Sequence, residues 1–181
     1  ETLLVAGASS GVGVAAVQIG KALGATVIGT SGSAEKLAKL KAVGMDHGIQ
    51  TRKGDFAAKC KELTGGKGAD FVIEAVGTDA TYNQVKDMVR LEGLVQCFGM
   101  PKARATGLWL WELMMRNPTV LMTQRGTYDD FKLAVDMIGS GKAYVKPLLS
   151  HSFSVREIAS AFQMAESRAD NCMKISMETT W

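Results

Sequence analysis

The residues that decide the fold are Leu3-Leu4-Val5-Ala6-Gly7-Ala8-Ser9-Ser10-Gly11-Val12-Gly13, followed by the apolar run Val14 to Ile19. The pattern predicts a buried strand, a glycine-rich turn and an apolar helix that ends at Gly24. Backbone N–H groups in such a turn can approach a pyrophosphate, whose charge the positive end of the helix stabilises. In the usual G-x-G-x-x-G spacing, Ala8 and Ser10 occupy the first two glycine positions and Gly13 the third. We therefore predict a nucleotide-binding turn, opening a helix with an otherwise uncapped N-terminus. The alternative is a turn that only packs the helix on the strand.

Strand and helix patterns alternate along the rest of the chain. The predicted strands are Thr26 to Thr30, His47 to Gln50, Asp70 to Glu74, Leu94 to Phe98 and Thr119 to Met122, with Met173 to Met177 as a closing strand. The predicted helices are Ala34 to Val43, Asp55 to Thr64, Ala80 to Val89, Leu108 to Met115, Tyr128 to Ile138 and one that Ser154 caps. This alternation predicts an α/β fold with a doubly wound parallel sheet of about six strands, a Rossmann fold of three layers, α/β/α. We expect residues 1–181 to form one dinucleotide-binding domain.

Composition excludes several classes of function. The 181 residues carry 21 Lys and Arg against 18 Asp and Glu, a net charge of +3 with both signs interspersed, which gives no electrostatic case for nucleic acid or a membrane surface. No apolar stretch approaches the roughly 20 residues that span a bilayer. Three widely spaced cysteines, Cys60, Cys97 and Cys172, favour reduced thiols in the cytoplasm, and with only two histidines we expect no zinc site in this chain.

The end of the second predicted strand bears on which dinucleotide binds. NAD sites place a carboxylate there for the ribose 2′-hydroxyl, whereas a 2′-phosphate requires hydrogen-bond donors in its place. The residues are Gly29-Thr30-Ser31-Gly32-Ser33-Ala34-Glu35-Lys36, so hydroxyls and Lys36 are available and no acid stands at the strand end. NADP(H) is therefore favoured over NAD(H). The alternative is that Ser33 only caps the next helix, that Lys36 is a solvated charge, and that Glu35 serves as the carboxylate.

Two dehydrogenase families share features of this turn. Ala6 to Gly13 resembles the opening of short-chain dehydrogenases, whose Tyr-x-x-x-Lys pair has two matches here, Tyr82 with Lys86 and Tyr128 with Lys132; neither has the expected serine ahead of it. The chain as a whole resembles the coenzyme domain of medium-chain dehydrogenases/reductases, the family of zinc alcohol and polyol dehydrogenases and of quinone oxidoreductases. The motifs that carry this resemblance are Ser10 to Gly13, Lys21 to Ala25, Val43 to His47, Leu63 to Asp70, Val72 to Gly77 and Phe153-Ser154.

The family resemblance implies a set of cofactor contacts at the carboxyl ends of the strands. It implies Ser10, Gly11, Val12 and Gly13 on the pyrophosphate, Ser31, Ser33 and Lys36 on the adenosine phosphate, Ala75, Val76 and Gly77 beside the adenine ribose, and Phe98, Gly99 and Met100 near the nicotinamide. The implied activity is hydride transfer between the nicotinamide and an alcohol, carbonyl or enone.

The same resemblance implies that the catalytic residues belong to another domain. We expect that domain to precede Glu1, the last 35 or so residues to pack toward it, and the small-molecule substrate to bind only in the full-length enzyme. The predicted strand Thr119 to Met122 would be an apolar sheet edge, which favours a homodimer that pairs through it. The alternatives are a non-catalytic nucleotide-binding module and an enoyl-reductase piece of a larger synthase.

Overall fold

A computed structural model of the protein describes residues 1–51, 56–101, 110–123, 125–167 and 169–179. Six parallel strands form the main sheet in the order β3-β2-β1-β4-β5-β6, and a second sheet pairs β7 with β8. The strands are β1 Thr2–Ala6, β2 Thr26–Ser31, β3 His47–Gln50, β4 Ala69–Glu74, β5 Val89–Cys97, β6 Thr119–Met122, β7 Leu149–Ser154 and β8 Lys174–Glu178. The helices are α1 Gly11–Ala22, α2 Ala34–Lys41, α3 Phe56–Leu63, α4 Asp79–Met88, α5 Leu110–Met114, α6 Tyr128–Gly139 and α7 Ile158–Ser167.

The main sheet is covered on both faces, each with its own apolar core. On one face, α1 and α2 bury Val17 and Leu40 against Val5 of β1. On the other face, α3 and α4 bury Cys60 and Met88 against the opposite side of the sheet. The residues of β1 alternate between the two cores because successive side chains of a strand point to opposite faces. This arrangement confirms the predicted three-layer, doubly wound α/β fold.

The strand order determines where a ligand can bind. β1 and β4 are neighbours at the centre of the sheet, with β2 and β3 on one side and β5 and β6 on the other. The connections from β1 and from β4 therefore lead in opposite directions, which leaves a crevice beyond the carboxyl ends of these two strands. The glycine-rich turn after β1 lies at this crevice.

The C-terminal part differs most from the sequence-based expectation. The expected closing strand is β8, but it pairs in parallel with β7 in the second sheet. β7 was not predicted, because its sequence, Leu-Ser-His-Ser-Phe-Ser, is rich in the small polar residues that are typical of loops. Cys172 lies just before β8. Ser154 caps the turn ahead of α7, as predicted.

Two predicted features fall partly outside the described residues. They are the expected helix cap Asp55 and the first two residues, 108 and 109, of the expected helix Leu108 to Met115, whose described part is α5. Among the described residues, none of the helices is both long enough and apolar enough to cross a membrane.

Candidate functional site

The turn between β1 and α1 is packed too tightly for side chains at its glycines. Gly7 has a φ of +77°, a conformation that L side chains rarely adopt. A Cβ added at Gly13 would lie 2.6 Å from Ala8 Cα, within backbone that cannot move aside as a side chain can. Gly13 thus lets α1 begin directly against the turn. Gly13 occupies the third glycine position of the motif, at which a glycine allows this close packing of the helix.

The N-terminus of α1 is capped, contrary to the expectation from the sequence. The Gly13 N–H donates to Ser10 Oγ at 3.0 Å, because the side chain of the residue before a helix can fold back onto its first turn. The first backbone bond of the helix runs from Val14 N–H to Ser10 O at 2.9 Å. The N–H groups of Gly11 and Val12 precede this bond and point out of the helix end, where they can meet an anion.

Lys174 is a residue of this site that the sequence did not reveal. A Cβ added at Gly11 would lie 3.1 Å from Lys174 Cε and 3.7 Å from its Nζ, so the ammonium group lies beside the start of α1. Gln18, buried in α1, holds the chain that leads to β7, donating to Tyr144 O at 3.2 Å and accepting from Tyr144 N–H. The helix end and the Lys174 charge together make this point of the surface attractive to an anion.

A cavity of about 360 Å³ lies beside the turn, at the carboxyl ends of β1, β2 and β4. Residues that line it include Gly7, Ser9, Thr30, Ser31, Gly32 and Val76. Ser31 is largely buried, with its Oγ 3.0 Å from Ser9 Oγ and accepting from Ser33 N–H at 3.3 Å. The structure therefore brings Ser31 and Val76, two predicted contacts, into one cavity at the crevice.

The other two residues predicted for a phosphate lie at the start of α2. Ser33 caps this helix, since its Oγ accepts from Lys36 N–H at 3.3 Å, which was the alternative to a ligand role. Lys36 is exposed on the first turn. The nearby carboxylate of Glu35 pairs with Lys39 Nζ at 2.8 Å, and this hydrogen bond lowers the pKa of Glu35.

The segments after β4 and β5 contact each other at the other side of the crevice. A Cβ added at Gly77, whose φ is +82°, would lie 2.6 Å from Met100 O, and one added at Gly99 would lie 2.7 Å from Gly77 Cα. Ala75 is tied to β1 through its N–H, which donates to Ala6 O at 3.2 Å. The predicted contacts at residues 75–77 and 98–100 are thus neighbours in space.

An apolar groove of about 590 Å³ runs between α1 and the sheet. Val12, from the turn, and Phe98, from the end of β5, line the same groove, and both side chains are about 40% exposed. The groove therefore joins two of the predicted contact residues on the α1 side of the crevice.

Glu74, at the end of β4, is a second residue that the sequence did not single out. Its side chain is fully buried, and Oε1 accepts from the N–H groups of Val76 and Gly77, each at 2.9 Å. These bonds fix the turn at 75–77 and occupy its amides. A ligand at this turn is left with the carbonyl groups, the Cα atoms and the exposed Val76 side chain. The only sequence signal was an acidic residue ending an apolar strand.

The pairs that suggested short-chain dehydrogenases do not form. Tyr82 Oη donates to Gly99 O, and Lys86 pairs with Glu112 instead. Tyr128 is 80% exposed, and Lys132 pairs with Asp136 at 3.0 Å. Neither tyrosine therefore has its lysine as a partner.

The three cysteines are free thiols. Burial raises the pKa of the Cys60 thiol to about 11 and also raises that of Cys97. Among the described residues, no three His, Cys, Asp or Glu side chains come close enough together to hold a metal ion.

Comparison with known proteins places this arrangement among dehydrogenases. The model of the family described as zinc-binding dehydrogenase matches residues 11–140. Quinone oxidoreductase 1 of Escherichia coli is 30% identical over 178 residues, covering 93% of this chain and 54% of the relative. An NAD-dependent alcohol dehydrogenase of Sulfurisphaera tokodaii is 31% identical over 171 residues, covering 92% and 47%. A solved structure of an NAD-dependent alcohol dehydrogenase superposes with a TM-score of 0.88 at 28% identity, over 99% of this chain and 51% of that one. The chain spans about half the length of the curated relatives it matches.

Proposed function

Because the chain belongs to the zinc-binding dehydrogenase family, we propose that it is the NADP(H)-binding part of an oxidoreductase that transfers hydride between the nicotinamide and an alcohol, carbonyl or enone. This membership confirms the resemblance to medium-chain dehydrogenases/reductases that the sequence indicated, and the family implies a nicotinamide dinucleotide as cofactor. The bound cofactor supplies the hydride, while the protein holds and orients it. The catalytic residues and the substrate site belong to the rest of the enzyme.

The observation that carries the proposal is the packing of the turn at α1. The Gly13 contact with Ala8 brings the helix end to the crevice, where the N–H groups of Gly11 and Val12 are free and the Lys174 ammonium lies beside Gly11. A pyrophosphate placed there gains hydrogen bonds, the positive end of the helix and a full positive charge. Ser10 contributes by capping the helix and so holding this geometry.

The choice of NADP(H) rests on the charges around α2. The adenosine half of the cofactor would occupy the cavity that Ser31 lines, and Ser33 and Lys36 follow Ser31 along the chain, at the start of α2. Glu35, the acidic side chain in the first turn of α2, is engaged by Lys39. A phosphate beyond Ser31 would therefore meet a hydroxyl and the Lys36 ammonium, whereas a free ribose 2′-hydroxyl would lack a carboxylate partner.

The remaining predicted contacts follow from the same placement. Ala75, Val76 and Gly77 would border the ribose, and Phe98, Gly99 and Met100, with Val12, would border the nicotinamide. The end of the apolar groove at Val12 and Phe98 suits the flat ring, because an apolar wall excludes water from the face it covers.

The assembly of the full enzyme is also part of the proposal. β6 forms an edge of the main sheet, and its Val120, Leu121 and Met122 side chains are exposed. We propose a homodimer that pairs these edges, with the last 35 or so residues facing the catalytic domain. The free thiols support a cytoplasmic location.

Calorimetric titration with NADPH and NADH tests this function on the wild-type chain and on Lys36→Ala, with Lys41→Ala at the other end of α2 as the matched control. The wild-type chain should prefer NADPH. Lys36→Ala should weaken NADPH binding about tenfold, since it removes a charge-assisted hydrogen bond, and leave NADH binding unchanged. Lys41→Ala should match the wild type. A preference for NADH, or unchanged NADPH affinity in Lys36→Ala, would reject the phosphate assignment, and failure to bind either nucleotide would reject dinucleotide binding.

A further inference from the structure

Glu74 is a fully buried carboxylate at the centre of the candidate site. Its Oε1 accepts two backbone N–H bonds, and Oε2 accepts a third from Gly77 at 3.2 Å. Among the ion pairs of the described residues, none includes Glu74. Both carboxylate oxygens face donors, which is the environment of the ionised form, since a carboxyl proton would need an acceptor of its own. The carboxylate therefore holds a negative charge inside the protein.

This charge lies directly under the segments that border the proposed cofactor. The N–H groups of Phe98 and Gly99 donate to Glu74 O at 2.9 and 2.8 Å. A Cβ added at Gly99 would collide with Glu74 Oε2, so the Gly99 backbone lies directly against the carboxylate. Neighbouring groups respond to the charge: burial first, and then Glu74, raises the pKa of Tyr82 and that of Cys97.

We propose that Glu74 determines the relative affinity for oxidised and reduced cofactor, because its negative charge favours the cationic oxidised nicotinamide over the neutral reduced ring. The inference rests on the proposed function, which places the nicotinamide beside residues 98–100. Glu74 acts as a positioning residue through the turns it holds and as a fixed charge beneath them.

The expected size of the effect follows from Coulomb's law. At an effective dielectric constant of about 20, a unit charge on the protein changes the binding constant of a ligand with a unit charge about tenfold, even when the two charges are about 12 Å apart. Burial away from solvent limits the screening of such a pair by salt. Loss of the Glu74 charge should therefore change the ratio of the two affinities by about ten.

The test compares the dissociation constants for NADP⁺ and NADPH, measured by calorimetry on the 181-residue chain and three variants. Glu74→Gln removes the charge at nearly constant size and should raise the ratio of the NADP⁺ constant to the NADPH constant about tenfold. Glu74→Asp keeps the charge, and Tyr82→Phe removes the bond to Gly99 without altering charge. Both controls should weaken the two forms equally and keep the ratio within about twofold. If Glu74 had only a structural role, Glu74→Gln would likewise leave the ratio of the two dissociation constants unchanged.

A fourth variant covers the case in which Glu74→Gln fails to fold. Tyr82 is partly exposed, and the Glu74 charge contributes to its raised pKa. Tyr82→Lys therefore brings an ammonium group near the carboxylate and should raise the ratio of the NADP⁺ constant to the NADPH constant relative to Tyr82→Phe. An unchanged ratio in Glu74→Gln, or in Tyr82→Lys when Glu74→Gln is unfolded, overturns the inference while dinucleotide binding stands. If the wild-type chain binds neither form, the proposed function itself fails.

Discussion

Substitution of Gly13 by alanine is the most direct test of the turn geometry. The added Cβ would lie 2.6 Å from Ala8 Cα, whereas ordinary contacts of a Cβ begin at 3.4 Å. Helix α1 must therefore move away from the turn by about 1 Å, because both sides of the contact are backbone. Overpacking of this kind costs about 1–3 kcal/mol, which for a domain of this size lowers Tm by about 4–8 °C at the middle of that range.

The same displacement should also weaken cofactor binding. The N–H groups of Gly11 and Val12 move with α1, away from the position in which we propose that they and Lys174 meet the pyrophosphate. Losing one charge-assisted hydrogen bond costs about 1.5–3 kcal/mol, so NADPH affinity should fall about 10- to 100-fold. Urea unfolding gives the stability and calorimetric titration gives the affinity.

The matched control is Gly139→Ala, in the last turn of α6. A Cβ there meets nothing within 4 Å, and alanine is a better helix former than glycine by about 0.5–1 kcal/mol. This variant should bind NADPH like the wild type and be equally or slightly more stable. Wild-type stability and affinity in Gly13→Ala would refute the packing argument.

Two further predictions concern Lys174 and Cys60. Lys174→Met keeps most of the side chain but removes its charge, so dinucleotide affinity should fall about tenfold and depend less steeply on salt in titrations at several ionic strengths. The control Lys67→Met, an exposed change ahead of β4, should leave both the affinity and its salt dependence unchanged. An unaltered salt dependence in Lys174→Met would place its ammonium away from the phosphates. Burial raises the pKa of Cys60 from 9.0 to about 11, so the folded chain keeps a proton that the unfolded chain loses above pH 9. The stabilisation that the Cys60 thiol contributes is complete below pH 9 and is lost as pH rises through 11. In urea unfolding between pH 9 and 11, the wild-type free energy of unfolding should fall by about 2 kcal/mol more than that of Cys60→Ala. Parallel pH profiles of the two proteins would contradict this prediction.

Much of the fold could be predicted because its signals are local. The apolar run before Gly7, the glycines of the turn and the alternation of strands and helices all lie within short windows of sequence. Parallel strands joined by helices leave few topologies once the crossovers are right-handed. The boundaries of β5 and α1 shifted by a few residues because hydrogen bonding extends elements beyond their apolar patterns.

The candidate site was predicted only in part, because some of its residues follow strands that are visible in the sequence while others depend on local conformation and long-range pairing. Ser31, Val76 and Gly99 follow strands that could be read from the sequence, and the edge of a parallel sheet brings such residues together. The N-terminus of α1 was expected to be uncapped, but Ser10 caps it; this was missed because the side-chain direction of Ser10 depends on its own backbone conformation. β7 was missed because its pairing with β8 outweighs its loop-like composition.

Strand periodicity, glycine spacing and chain order are properties of short segments, and they were sufficient to predict a doubly wound α/β unit that binds a dinucleotide. The Lys174 ammonium beside Gly11 and the buried Glu74 carboxylate against Gly99 became visible only in the folded chain. Lys174 is far from Gly11 along the chain, and Gly99, whose backbone lies against the Glu74 carboxylate, follows the neighbouring strand β5. A charge acts through distance and burial in space, and these quantities exist only after the chain has packed.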